Sequence, residues 1–293
     1  MLFRSTLSFS GNRATNELGK NGAATFFRAF FSQDLDYNHF YRTLPREEAY
    51  RIVHRSYEAM GEKYASEDPD SLVRVHAPTA SGFGKLNVVV LGEESLGAQF
   101  VGAYGDNRGL TPFLDQLAKE SLVFSNAYAT GTRTVRGLEA MSASFPPIPS
   151  ESVVKRPKGD HIFTWGNVMR ANGYHTSFLY GGFGAFDNMN TYFGGNGFHL
   201  SDRLHIKNPK FGNIWGVSDE DLLLHAVSYF DELHARGEGP FFSMVMSTSN
   251  HKPFTFPPNP EGIPESGGGR LAGIRYADYA LKTFFEAAKT RPW

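Results

Sequence analysis

The chain has 293 residues, 41% of them hydrophobic and 14% aromatic, with a formal net charge of −1 and no cysteine. That much apolar side chain supports a sizeable core and excludes disorder over most of the length. The near-neutral balance excludes a general nucleic-acid binder, and the lack of cysteine excludes disulfides, thiolate metal sites and a cysteine nucleophile. The longest apolar runs, at 88–91 and 241–246, are too short to span a bilayer, and the first residues lack the long apolar stretch of a signal peptide.

Residues 8–22, rich in Ser, Asn and Gly, read as a loose arm. Phe26, Phe27, Phe30 and Phe31 follow as an aromatic cluster. It is read as packing on a neighbouring domain, in preference to lying near a membrane. Pro45 opens a helix with Glu47 and Glu48 in its first turn, and Tyr50, Val53, Tyr57 and Met60 recur at helical spacing, which predicts one buried face. The polar, turn-rich stretch 66–84 reads as a linker. Residues 1–84 are therefore an arm with a helical linker, and 85–293 the main domain.

From Lys85 on, strand and helix signals alternate. Residues 87–91 form a continuous apolar run, expected of a strand buried on both faces. Thr111 and Pro112 supply the cap and first position of a helix. Residues 122–124 read as a strand, 135–144 as a helix, 165–172 as a helix closed by Gly173, and 176–180 as a strand stopped by Gly181 and Gly182. Then come a helix over 219–236 with Asp219, Glu220 and Asp221 at its positive end, a strand over 241–246, and an amphipathic helix over 276–289. This order predicts an α/β fold, a mostly parallel central sheet with helices on both faces.

In such sheets ligands bind beyond the carboxyl ends of the strands. Those ends carry Glu93, Glu94 and Ser95, then 129–136, then Gly181 and Gly182, then 247–254. Glu93 and Glu94 close a very apolar strand. They cap or pair locally, or they hold a hard divalent metal. Thr130, Thr132 and Thr134 precede a helix whose free N–H groups suit phosphate, with Arg133 and Arg136 as further anion ligands; simple helix capping is the plainer alternative. A hydroxyl there becomes a nucleophile if a metal lowers its pKa. His251 follows a strand at the rim, where a structural role is the alternative to catalysis. Asp187, Asn188 and Trp215 sit in long glycine-rich connections of the kind that carry binding groups, although Trp215 equally suits a core anchor.

Several segments together resemble the lipoteichoic acid synthase branch of the sulfatase/alkaline phosphatase superfamily, the phosphoglycerol transferases. They are 87–95, 111–118, 128–139, 186–190, 249–254 and 275–280, from Asn87 almost to the end. The resemblance implies the alkaline phosphatase/sulfatase-like fold and a divalent metal, Mn²⁺ or Mg²⁺, held by Glu94 and Thr134. It implies that Thr134 is the nucleophile, forming a covalent phosphoglycerol–threonine intermediate from a phosphatidylglycerol-type donor before transfer to a glycan or polymer acceptor. His251 matches the substrate-binding histidine, and Trp215 falls in the glycerol-phosphate pocket. It further implies an inner-membrane protein with an extracytoplasmic catalytic domain, anchored by an N-terminal region that this sequence lacks.

Two departures accompany the resemblance, the absent N-terminal transmembrane helices and a missing late metal-site pair. The family's late Asp-His pair has no counterpart, because Asp160-His161 comes far too early in the order. The chain is accordingly expected to be a fragment, cut at both ends and inactive alone. A hydrolase of the same superfamily, handing the intermediate to water, and a catalytically incomplete binding fragment are the alternatives. A formylglycine sulfatase is disfavoured by the absence of cysteine and of a serine in the matching pattern.

Overall fold

The computed structural model describes residues 10–12, 15–16, 19, 21–31, 38, 41–75, 84–146, 148–258, 263 and 266–293. It divides into two units, Met1–Gly82 and Phe83–Trp293. Much of the loose arm and the latter part of the linker lie outside the described residues. The smaller unit holds helix α1 (Gly22–Phe31) and helix α2 (Arg46–Ala59). Phe26, Phe27 and Phe30 are exposed within the smaller unit and touch one another. Pro45 stands at the α2 N-cap as expected, but no residue of α2 is buried. Its apolar side chains meet only a short return segment, where Tyr64 lies against His54 and Arg74 against Tyr57.

The larger unit is built on four parallel strands. They are β1 (Val88–Gly92), β2 (His175–Tyr180), β3 (His199–Ser201) and β4 (Phe241–Met246), in the order β1-β4-β2-β3. Side chains alternate faces along a strand. Val89, Leu91, Leu179, Phe241 and Val245 pack on one side with α7 (Asp219–Ala235) and α8 (Arg270–Ala288). Val88, Val90, Phe178, Tyr180, Met244 and Met246 pack on the other with α4 (Thr134–Ala143) and α6 (Met189–Gly195). Two apolar faces explain why β4 is apolar at every position but Ser243. Helices α3 (Pro112–Leu117) and α5 (Trp165–Ala171) complete the layers, and Gly173 closes α5 at a φ of +82°.

Several elements differ from the sequence reading. Strand β1 is an edge strand among the described residues, paired only with β4, and all five of its residues are half-buried instead of buried. Residues 122–124 form no strand. No described strand pairs with them, and Leu122 is 82% exposed. Helix α8 begins six residues earlier than expected. Helix α6 and the three-residue β3 were not foreseen, because each is too short to set up a period.

Helix α3 starts where expected but is capped differently. The Thr111 hydroxyl donates to Asp115 and accepts the Gly102 N–H, so it makes no capping bond. Instead, Asp278 on α8 reaches across. Its two carboxylate oxygens accept the N–H groups of Phe113 and Leu114, both at 2.9 Å. That satisfies two of the amides that a helix start leaves without partners.

At the opposite end of the sheet from the strand exits, His175 stacks on His199 at 4.3 Å and meets the Tyr229 hydroxyl at 3.0 Å. His225 bonds Ser201. Burial holds both His175 and His225 below the usual imidazole range, and the neighbouring His199 adds to the effect on His175. The folded chain therefore binds fewer protons at these rings than the unfolded chain just below the ordinary histidine pKa. Stability is expected to fall as pH drops below about 6.5. Melting temperatures at stepwise lower pH should show this decline, with a shallower slope in His175→Gln/His225→Gln. An unchanged slope would remove these rings as the cause.

Candidate active site

Because β1 and β4 run parallel, their exits lie side by side. Ser247, the first residue after β4, uses one hydroxyl twice. It accepts the Glu94 N–H at 2.9 Å and donates to Glu93 Oε2 at 3.1 Å. Asn250 Nδ2 donates to the Glu94 carbonyl at 2.9 Å. The Glu94 backbone is thus held from both sides, and its side chain reaches Thr134. Thr134 Oγ1 donates to Glu94 Oε2 at 2.8 Å, and Ser95 Oγ donates to Oε1 at 2.8 Å. Thr134 is the first residue of α4. First-turn amides there lack intrahelical acceptors, and the helix dipole places positive potential at the same point.

A cavity of about 210 Å³ opens over this pair. Glu94, Arg133, Thr134, Trp215 and His251 all line it, with Tyr180 and Asp187. The rings of Trp215 and His251 lie 3.8 Å apart, and the Phe186 ring meets Trp215 edge-on at 5.8 Å. Trp215 Nε1 and His251 Nδ1 both contact the Lys252 carbonyl. Trp215 owes its position to two glycines. A Cβ on Gly216 would lie 2.3 Å from the Gly181 carbonyl oxygen, and one on Gly182 would lie 2.6 Å from that of Trp215. Asp187 and Asn188 are consecutive left-handed residues, with φ of 51° and 64°. Lys155 pairs with Asp187 at 3.3 Å, and Asn188 bonds the Val154 carbonyl. A second, open groove of about 720 Å³ runs from Glu94 and Thr134 towards Tyr128 and Met141.

Arg136 is not brought into the cleft. Its guanidinium pairs with Glu139 at 2.8 Å and bonds the Ser150 carbonyl. Glu139 is completely buried and also accepts from Ser152 Oγ and the Val153 N–H. A buried carboxylate demands a cation, and this one takes Arg136. His161 is exposed on a short turn and does not line the cavity.

Sequence reasoning assigned no role to Ser247, Asn250 or Asp219. Asp219 is fully buried. Its Oδ1 accepts the N–H groups of Thr248 and Ser249, at 2.8 and 2.9 Å, and its own N–H donates to Ser249. Burial raises its pKa, and the charge of Glu94 adds to this. Burial likewise pushes the Glu93 carboxyl up to about 8, helped by the charge of Asp219. Tyr180 is pushed up to about 12 by burial and by Glu94. The legible signal for the loop was four successive polar residues, 247–250, directly after a strand with none exposed.

The donor set of Glu94 and Thr134 is hard oxygen, which fits one side of a Mg²⁺ or Mn²⁺ ion. No group of three or more His, Asp or Glu side chains suited to a metal gathers among the described residues. With two protein ligands, titration of this chain with Mn²⁺ should show weak binding, well above micromolar. A dissociation constant at or below micromolar would contradict the two-ligand description. Arg136→Met should destabilise the fold by about 3 kcal/mol, because it strands a buried carboxylate. Affinity for a phosphodiester should stay unchanged. A loss of that affinity at unchanged stability would return Arg136 to the site.

Residues 86–292 match the Sulfatase family profile, and the chain belongs to that family. Its relatives include the lipoteichoic acid synthase-like protein YvgJ of Bacillus subtilis, 24% identical over 82% of this chain and 41% of the relative. Phosphoglycerol transferase I of Escherichia coli is 26% identical over 71% of this chain and 29% of the relative. The chain thus spans less than half the length of either. A crystal structure of an alkaline phosphatase superfamily protein from Vibrio parahaemolyticus superposes with a TM-score of 0.67. It is 46% identical and covers 71% of this chain and 51% of that one. The fold is that of the alkaline phosphatases and sulfatases.

Proposed function

We propose that residues 85–293 belong to the catalytic domain of a metal-dependent transferase that moves phosphoglycerol, or a related phospho-group, from a phospholipid to a glycan or polymer acceptor. Residues 1–84 serve as its juxtamembrane arm. The domain works on the extracytoplasmic side of the cell membrane. The observation that carries this reading is the Thr134–Glu94 hydrogen bond at the start of α4, inside the cleft. The relatives named lipoteichoic acid synthase-like and phosphoglycerol transferase support the same chemistry.

Thr134 Oγ1 attacks the donor phosphorus, and its proton has an acceptor already in place at Glu94 Oε2. The bond to the lipid oxygen breaks, and that oxygen takes a proton from solvent. Arg133 and the first-turn amides of α4 offset charge on the phosphoryl oxygens. Trp215 and His251 form the wall against which the transferred group is held. An acceptor hydroxyl then attacks the phosphorus and gives its proton to solvent, the bond to Thr134 Oγ1 breaks, and Oγ1 takes back the proton held by Glu94. A divalent cation held by Glu94 and Thr134 would lower the hydroxyl pKa and neutralise phosphoryl charge. The two cavities that share the Glu94–Thr134 pair give donor and acceptor separate approaches.

Incubating the intact protein with phosphatidylglycerol and Mn²⁺, followed by peptide mass spectrometry, should give a phosphoglycerol adduct on Thr134. Thr134→Ala should abolish it. An adduct that persists elsewhere in that variant would overturn the assignment of the nucleophile. Release of free glycerol phosphate with no acceptor product would point to the hydrolase.

A further inference from the structure

Tyr180 is a polar residue of the cleft to which the chemistry above gives no task. It is the last residue of β2 and lines the cavity with Glu94 and Thr134. The residue is only 6% exposed, yet its hydroxyl makes no hydrogen bond among the described residues. Buried phenols nearly always find a partner, so one that borders a cavity without any marks the place of a ligand acceptor.

The register of the sheet aims this group at the nucleophile. Tyr180 pairs with Met246 of β4, and Met246 pairs on its other side with Gly92 of β1. The three form one row across strands that lie about 4.8 Å apart. The Tyr180 ring lies on the sheet face covered by α4, in one cluster with Val135 and Leu138. Thr134 starts that helix. The phenol thus approaches the space over Thr134 Oγ1 from the sheet side, whereas Arg133 and the first-turn amides approach from the helix side. The ring is held in place. Phe178 stacks alongside it at 6.2 Å, and a Cβ on Gly182 would lie 2.6 Å from Tyr180 Cζ, so glycine is what leaves room for the ring.

The nearby carboxylates have other partners. Glu94 takes the hydroxyls of Thr134 and Ser95, and Asp187 pairs with Lys155. Burial, and then the charges of Glu94 and Asp187, push the phenol up to about 12, so at neutral pH it is a donor.

We propose that Tyr180 is a further catalytic residue, whose hydroxyl donates a hydrogen bond to a non-bridging oxygen of the phosphoryl group under transfer and keeps its proton throughout. The proposal deepens the reading of Thr134 as nucleophile and rests on it. No bond forms or breaks at Tyr180. As charge gathers on the phosphoryl oxygens, a fixed neutral donor stabilises it without reorganising. A glycerol hydroxyl is a weaker acceptor than a charged phosphoryl oxygen.

Tyr180→Phe tests this, because it removes the hydroxyl and keeps the ring. The melting temperature should stay unchanged. Adduct formation on Thr134, in the intact protein with phosphatidylglycerol and Mn²⁺, should slow about a hundredfold. Calorimetry should show affinity for inorganic phosphate and for sn-glycerol 1-phosphate falling by the same factor, about tenfold. With 3-fluorotyrosine placed at position 180, the fluorine resonance should move on adding phosphate and stay still on adding glycerol. A loss of affinity for glycerol phosphate alone would assign the phenol to the glycerol hydroxyls and overturn the proposal. So would a slower reaction that comes with a lower melting temperature and a fluorine resonance indifferent to phosphate, the signature of a structural role. The two readings fail separately. If the parent forms no adduct while phosphate moves the fluorine resonance and Tyr180→Phe loses phosphate affinity, only the nucleophile assignment falls. If the adduct forms equally fast in both proteins, only the role of Tyr180 falls.

Discussion

The site hangs on the way the exit of β4 clasps the exit of β1. Ser247 and Asn250 bind the amide and the carbonyl of one residue, Glu94, and so fix the direction in which its carboxylate leaves the sheet. The clasp is itself held from below by the buried carboxylate of Asp219, which takes the amides of Thr248 and Ser249. Asp219 also begins α7, directly after the strap that carries Trp215. One buried group therefore links the loop bearing His251 to the segment bearing Trp215. The position of each cleft wall depends on the other.

The second support lies beneath the nucleophile. Helix α4 presents Thr134 at its start, while Glu139, one turn and a half further on, is buried and paired to Arg136, Ser152 and Val153. A helix anchored by an ion pair and two further hydrogen bonds in the interior has little freedom to rotate. Thr134 thus meets Glu94 in a geometry set before any ligand arrives, which is where preorganised sites gain their advantage. The cost is a concentration of acid groups. Burial raises the pKa of both Glu93 and Asp219, and the neighbouring negative charges push in the same direction.

Much of this was legible in the residues. Strand β4 announced itself as a mostly apolar run and β2 as residues 176–180 stopped by two glycines, and the parallel order followed from the helices between them. Glu94, Thr134, Arg133, Trp215 and His251 line one cavity; only Glu94 and His251 follow strands, while Arg133 and Thr134 start a helix and Trp215 lies in a glycine-rich connection. What escaped depends on long-range partners. A capping signal at Thr111 could not reveal that Asp278 does the capping. Arg136 read as an anion ligand because nothing local showed that Glu139 would be buried beside it. The run 87–91 has the composition of a central strand, yet composition carries no information on which strands lie beside it. The aliphatic run 122–124 fails as a strand for the same reason, since a ladder needs a neighbour.

The order of strands carries a kinetic consequence. Strand β1 has β4 as its partner, and about 150 residues separate them along the chain. A ribosome adds roughly 5–20 residues per second, so β1 emerges on the order of ten seconds or more before β4 exists to cover it. During that interval a very apolar strand has no native pairing to make. The helix start at Phe113 waits still longer for Asp278. Both ties are distant contacts, which are slow to form and leave sticky edges open meanwhile.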